Sequence, residues 1–219
     1  MKNLLIYLGL GLVFASCGLE TKEYYFDLND FKEGKVYVLA CEESPEYTQY
    51  WEMKSDGDQL STIVYESGMK KTSEMVEKYG DTGAELVSLK FYDPYFSEGV
   101  EEDCEVFQKE VMNWSVKDAA FHYSVRFSGV LGVEGEMQRA RTYLTRAHID
   151  VLGEKYEVLS FRDVVTYSES PEVFTSMKYY AKGLGIVAMD FEDNGEQKVL
   201  LLKEILTMED WEALKATHE

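Results

Sequence analysis

The sequence predicts a mainly β fold, a curved antiparallel sheet closed into a barrel, a half-barrel or a sandwich, with one short helix at the C-terminus. Three observations lead there. Short segments rich in Tyr, Val, Phe and Thr alternate with period two along most of the chain, as half-buried antiparallel strands do. No long amphipathic helical pattern interrupts them. About ten such strands in about 175 residues exceed what one flat open sheet carries, so the sheet must curl.

The chain opens with Met1-Lys2-Asn3, an apolar run over residues 4–13 and the small pair Ala15-Ser16. This is a secretory signal over residues 1–16, too short to remain as a membrane-spanning helix. Phe14-Ala15-Ser16-Cys17 has the form of a bacterial lipobox with Phe14 where Leu is usual, which makes Cys17 the lipidated residue of the mature chain. Two or three acyl chains hold far more firmly than one, since each buried methylene contributes about 0.8 kcal/mol. Residues 17–30 then read as a lipidated N-terminus and tether, and residues 31–219 as a single β-rich domain without a Ser/Gly/Pro-rich linker.

Within that domain the first strand covers residues 36–41. Residues 47–53 and 60–65 form a hairpin around Ser55-Asp56-Gly57-Asp58. Residues 72–79 and 84–92 flank a turn at Gly80 and Gly83, and residues 93–105 form an acidic, irregular stretch. Phe121, Tyr123, Val125 and Phe127 then alternate with His122, Ser124, Arg126 and Ser128, so one face is aromatic and the other polar. Residues 136–147, 157–167, 175–182, 185–191 and 198–206 continue the series. Thr207-Met208-Glu209-Asp210 resembles a capping box, and the helix it starts lays Trp211 and Leu214 on the sheet.

Composition bounds the partners. The chain carries 41 acidic and 22 basic residues, a net charge of -19. Loss of residues 1–16 removes only Lys2, leaving 21 basic residues and a net charge of -20. Such a body repels nucleic acid and anionic headgroups, so attachment to a membrane has to come from the lipid. Beyond Cys17 there are Cys41 and Cys104, whose bridge would close a loop of about 64 residues and stabilise by about 4 kcal/mol. Cys41 ends an apolar strand while Cys104 lies among acids, a placement that favours two free thiols.

Several groupings invite chemistry. All five arginines fall between Arg126 and Arg162, and Arg139 and Arg141 share one strand face with Tyr143. They are candidate ligands for a carboxylate, a phosphate or an acidic partner, against the simpler reading of pairing with neighbouring acids. Trp51 and Trp114 are the aromatic residues to inspect for a sugar- or lipid-binding surface. His148 with Asp150, and His122 with Ser124, lack a third partner at a recognisable spacing, and no nucleophile-elbow or H-E-x-x-H signature occurs. Asp56-Gly57-Asp58 reads as a hairpin turn and Glu101-Glu102-Asp103 as a solvated loop, not calcium sites. No catalytic residue, metal site or cofactor is expected.

Gly183, Gly185 and Ala188 have the spacing G-x-G-x-x-A of dinucleotide-binding loops. A strand and a turn follow them where that motif needs a helix, so they are expected to mark a bend or bulge of the sheet.

The lipobox, the Tyr-rich strands and the late pattern Tyr180-Ala181-Lys182-Gly183-Leu184-Gly185-Ile186-Val187 together resemble exported lipoproteins of Bacteroidetes, many of unknown function. Some members look like the half-barrel of lipoprotein carriers, which hold acyl chains on a concave apolar face. The resemblance implies a cell-envelope location, with Gly18 after Cys17 compatible with an outer-membrane anchor. It carries no catalytic residues.

The expected function is therefore a non-enzymatic envelope lipoprotein that binds a hydrophobic or amphipathic ligand in its β body. The alternative is an interaction or scaffold lipoprotein that holds another envelope protein on a polar, arginine-bearing face. A hydrolase using His122 or His148 is a third reading. An open concave cavity would favour the first, a filled interior the second.

Overall fold

In the computed structural model, residues 19–66, 68–92, 101–116, 120–128 and 134–218 are described. Residues 1–16, expected to be a signal peptide, Cys17 and part of the acidic stretch over residues 93–105 lie outside them. The described residues hold fifteen strands where about ten were expected, and twelve of them close into one antiparallel barrel. The count rises because residues 101–103, within the stretch expected to be irregular, and residues 105–113 form strands, and because two further short strands pair with each other outside the closed ring.

The strands in chain order are β1 (Leu19–Glu20), β2 (Lys35–Ala40), β3 (Gln49–Asp56), β4 (Gln59–Glu66) and β5 (Lys70–Tyr79). Next come β6 (Gly83–Tyr92), β7 (Glu101–Asp103), β8 (Glu105–Asn113), β9 (Ser115–Val116) and β10 (Phe121–Ser128). The chain completes the wall with β11 (Glu134–Val151), β12 (Glu154–Tyr167), β13 (Ser170–Ala181), β14 (Gly185–Asp193) and β15 (Glu196–Leu206), followed by α1 (Met208–Ala216). Around the wall the order is β5, β4, β3, β2, β15, β14, β13, β12, β11, β10, β8 and β6, and β5 pairs with β6 to close it. β7 adds to the edge of β6, while β1 pairs with β9 outside the ring.

A twelve-stranded barrel is wider than the eight-stranded kind whose side chains meet in the middle, so this wall cannot fill its own interior. Residues 19–31, of which all but Phe31 were expected to belong to a tether, fill one end of it. β1 is held against β9, Thr21 Oγ1 donates to the carbonyl of Asn113 at 2.5 Å, and one-turn 3-10 helices form at Lys22–Tyr24 and Leu28–Phe31. Tyr24, Tyr25, Phe26 and Phe31 are buried, with Phe26 and Phe31 edge to face at 5.7 Å between ring centres. A segment with this density of aromatic surface gains more from burial than an extended tether would. The turns at Gly57, Gly80, Gly153 and Gly183 surround this closed end. Those at Pro45–Tyr47, Ser168-Glu169 and Asn194-Gly195 surround the other.

Helix α1 packs on the outer wall. Thr207 Oγ1 accepts from the amide of Asp210 at 3.2 Å, as the capping sequence requires. Trp211 is fully buried, donates to Glu52 Oε2 at 2.8 Å and stacks on Tyr50 at 5.2 Å. Trp211→Ala is expected to cost about 3–5 kcal/mol, because it opens a cavity and takes from the Glu52 carboxylate the shorter of its two hydrogen bonds, the Tyr65 hydroxyl at 3.2 Å being the other. Urea unfolding of the variant against the parent measures it.

Cys41 and Cys104 are free thiols, the first buried and the second half-buried. Burial, with Glu102 and Asp103 nearby, pushes the Cys104 thiol up to about 12.

Gly183 and Gly185 both adopt φ +77 in the β13–β14 turn, beside a register shift at Tyr179 and Tyr180. The chain enters a strand at Gly185, so the glycines bend the sheet and open no helix. A Cβ on Gly185 would lie 2.2 Å from Phe26 Cδ1, which shows what else the glycine provides: the plug ring sits on its bare backbone.

Candidate functional site

Above the plug, at mid-height, the barrel holds a layer of charge. Inward positions on the strands around it are otherwise apolar or aromatic, because strand alternation sends every second side chain inside. Glu77 on β5 breaks that pattern, as do Arg139 and Arg141 on β11, Asp163 on β12 and Lys178 on β13. Glu77 and Asp163 are 1% exposed and Arg141 3%. Buried charge at this depth survives only when paired.

Most of it is. Arg141 grips Asp163 with both ends of its fork, Nε to Oδ1 at 2.7 Å and Nη2 to Oδ2 at 3.0 Å, and donates through Nη1 to the carbonyl of Val111 at 3.2 Å. Arg139 also pairs with Asp163 and donates to the Tyr123 hydroxyl at 2.9 Å. From below, the plug residue Tyr25 donates its hydroxyl to both oxygens of Glu77, at 3.0 and 2.8 Å. Burial raises Glu77 above the usual carboxylate range, opposed by that hydrogen bond and by the three cations. Tyr180 lies against Arg141, ring centre 5.4 Å from the guanidinium carbon.

Two donors are left over. The Nε of Arg139 is buried with no hydrogen-bond partner among the described residues. Lys178 reaches Asp163 only at 3.9 Å, too far for a hydrogen bond, and stands 5.3 Å from the centre of the Trp51 ring. Burial, reinforced by Arg139 and Arg141, holds the Lys178 ammonium well below the ordinary lysine value.

Above this layer the interior is open. A cup of about 440 Å³ reaches from Lys178 and Arg139 to the mouth. Its walls are Trp51, Val64, Met75, Leu89, Phe91, Tyr123, Met137, Val165, Tyr167, Met189 and Phe191, with Gln49, Thr62, Thr72, Ser73 and Ser176 between them. The volume falls within the range of about 300–1,000 Å³ usual for small-molecule sites, and the mix of apolar wall and a few convergent polar groups is theirs too. A larger recess of about 740 Å³ lies at the closed end, between the plug and the turns, lined by Glu20, Glu23, Asp27, Asp58 and Asp81 among others. Its lining mixes these acids with Lys22 and Lys182 and with Tyr25, Phe26, Leu28 and Tyr79. The cup is the better candidate because its depth, its lining and its unpaired donors coincide.

Of the four residues singled out in the sequence, the structure brings Trp51 and Arg139 into the cup and sets Arg141 directly beneath it. Trp114 lies at the other end, where it donates to the carbonyl of Gly80 at 2.9 Å and packs against Tyr25 and Tyr79. Its role is to seat the plug. The polar face anticipated for Arg139 and Arg141 is thus an interior. The exposed arginines are Arg126, Arg146 and Arg162 on the outer wall, and Arg126 is already engaged by Glu105 and Glu136. His122 and His148 also face outward, away from the cup, with Asp150 exposed beside His148 and Ser124 buried beside His122. Asp56 and Asp58 flank the β3–β4 turn, where Asp58 pairs with Lys78 at 3.4 Å. Glu102 is buried, correcting the solvated loop expected there, and accepts from the hydroxyl of Ser128 at 2.6 Å.

Lys178, Asp163 and Glu77 were not anticipated, although each leaves a trace in the sequence. Asp163 interrupts the inward series Phe161, Val165, Tyr167; Glu77 stands between Met75 and Tyr79; Lys178 precedes Tyr180. A charge at an otherwise apolar parity is the signal.

No protein-family model matches the chain, and no curated protein matches it. Three solved structures are similar to it. One is a candidate lipoprotein from Parabacteroides distasonis ATCC 8503, with TM-score 0.49 and 11% identity over 80% of this chain and 97% of the other. The second is a candidate exported protein with YmcC-like fold from Bacteroides fragilis NCTC 9343, with TM-score 0.48 and 11% identity over 80% and 96%. The third is the hypothetical lipoprotein YmcC from Escherichia coli (K12), with TM-score 0.43 and 8% identity over 80% and 87%.

Proposed function

We propose that the protein is a non-enzymatic lipoprotein of the cell envelope, anchored through Cys17 to the outer membrane, whose barrel holds a hydrophobic or amphipathic ligand in the cup. The observation that carries the reading is the open, aromatic- and methionine-rich cup of about 440 Å³ inside a wall that is otherwise packed. Folding gains from every apolar group buried, so leaving Met75, Phe91, Tyr167 and Phe191 only half-buried around an open space forgoes stability that binding recovers. The lipobox supplies the location and the acidic exterior keeps nucleic acid away, which leaves small apolar or amphipathic molecules as the occupants.

The test is to fill the cup. Leu89 is 5% exposed on the cup wall. Leu89→Trp is expected to abolish binding of a fluorescent apolar probe, N-phenyl-1-naphthylamine, that the parent binds, while circular dichroism stays that of the parent. Unchanged probe binding by a folded Leu89→Trp variant places the ligand elsewhere and refutes the reading. Mass spectrometry of protein purified without harsh detergent is expected to find a copurified amphiphile in the parent only.

A further inference from the structure

We propose that the occupant is a single-chain anionic amphiphile, a long-chain carboxylate, bound head-down with its carboxylate on Lys178 and Arg139 and its tail along Met75, Leu89 and Phe91. The inference rests on the cup being a ligand site, and three observations add the chemistry.

The first is the charge tally. Arg139, Arg141 and Lys178 meet two carboxylates, Asp163 and Glu77, so the layer has one positive charge in excess. The excess is the same if Glu77 and Lys178 are both neutral, and where Lys178 alone is neutral the proton taken up with the ligand restores it. A monoanion cancels it, whereas a neutral headgroup leaves it and a dianion overshoots it. The second is the shortage of acceptors. Asp163 already takes both arginines, which leaves the Nε of Arg139 without a partner and Lys178 at 3.9 Å. Both residues line the cup, on the two strands that flank β12. A carboxylate resting between them supplies the missing acceptor.

The third is the exterior. A net charge of -19 repels small anions from the whole body, so a bare carboxylate gains too little to enter. Only an apolar tail offsets that repulsion, each methylene being worth about a threefold to fourfold gain in affinity until the cup is full.

Protonation follows from the same geometry. The charged groups acting on Lys178 are Arg139 and Arg141 from β11, Asp163 from β12 and Glu77 from β5, with the Trp51 ring of β3 beside it; Tyr123, Tyr180 and Tyr25 contact Arg139, Arg141 and Glu77 in turn. Without ligand, burial and the two arginines favour the neutral amine. A carboxylate beside it restores the ammonium, so binding takes up a proton at pH values between the free and liganded pKa of Lys178.

The experiment is calorimetric titration of the protein, stripped of copurified amphiphile on a hydrophobic resin, with laurate, lauryl alcohol, dodecyltrimethylammonium and acetate. Laurate should bind at least about tenfold tighter than lauryl alcohol, dodecyltrimethylammonium more weakly than either, and acetate not at all. Lys178→Met should bring laurate within about threefold of lauryl alcohol, and Lys178→Arg should keep the preference. The midpoint of thermal unfolding of Lys178→Met should not fall, since the substitution removes a buried basic group whose desolvation folding disfavours. Proton uptake, read in buffers of different ionisation heat across pH 6 to 10, should accompany laurate and not lauryl alcohol. Equal affinity for laurate and lauryl alcohol, or laurate preference surviving in Lys178→Met, overturns the anionic assignment and leaves the cup a lipid site. Absence of binding by all three long-chain probes overturns the ligand-site reading along with it.

Discussion

Replacing Asp163 by Ala is expected to cost about 3–5 kcal/mol, the range found when one partner of a buried ion pair is removed. For a chain of this size that lowers the midpoint of thermal unfolding by roughly 6–20 °C. The reason is the geometry of the charged layer. Asp163 is 1% exposed and accepts from Arg141 at 2.7 and 3.0 Å while also pairing with Arg139. Without it, Arg139, Arg141 and Lys178 share an interior with Glu77 as the sole carboxylate, and Glu77 is engaged by Tyr25. The loss should be partly reversed in Asp163→Asn combined with Arg139→Met, which removes a cation and keeps an acceptor for Arg141. Thermal and urea unfolding of the single and double variants measure both effects. A single variant within about 1 kcal/mol of the parent, the scale of an exposed pair, would show that water already screens the layer.

The second large effect is expected at the turn that seats the plug. Gly185→Ala places an L side chain at φ +77, which costs about 1–2 kcal/mol in itself. The new Cβ also falls 2.2 Å from Phe26 Cδ1, so the ring has to move. Overpacking of that kind adds about 1–3 kcal/mol. Together they predict a loss of about 2–5 kcal/mol with a particular signature. Because Phe26 contacts Tyr25, Tyr37 and Tyr180, amide hydrogen exchange should rise first across the plug and later in the wall. Gly183 has the same φ, but nothing lies within 4 Å of the Cβ it would gain. Gly183→Ala should therefore show the conformational cost alone, and the difference between the two variants isolates the contact with Phe26. Equal losses would refute the role assigned to that contact.

Much of the architecture was legible in the residues. Alternation in Phe121, Tyr123 and Val125 identified an inward face that is buried in the barrel. The capping sequence at Thr207 located the helix, and the G-x-G pair marked a bend. Each of these is a local signal, set by the period of a strand or by one backbone angle. The parts missed depend on distance. β8 was missed because Glu105, Gln108, Lys109 and Glu110 read as polar, although the strand is completed by pairing with β10 and β6. The plug was missed because Tyr24, Tyr25 and Phe26 carry no period of their own, and what buries them lies as far away as Tyr180.

The candidate site divides in the same way. Trp51 and Arg139 stood out by residue type, yet their side chains are 88 positions apart in a chain whose order around the barrel is not evident from local pattern. Arg141 and Asp163 meet only because β11 and β12 pair in the register that sets them opposite each other. Lys178 reaches that layer because β13 is the next strand along.

The sequence by itself determined a strand-rich chain with alternating faces, a strongly acidic exterior and a terminal helix, since composition and short-range periodicity suffice for these. Tertiary structure decided that the sheet closes at twelve strands, and closure has a geometric consequence: a barrel that wide has an interior its wall cannot fill. One end is filled by residues 19–31, the middle by a charged layer with a donor to spare, and the other end is left as the cup. Which residues face that cup, and that a lysine waits at its floor, follow from inter-strand register, which local pattern does not encode.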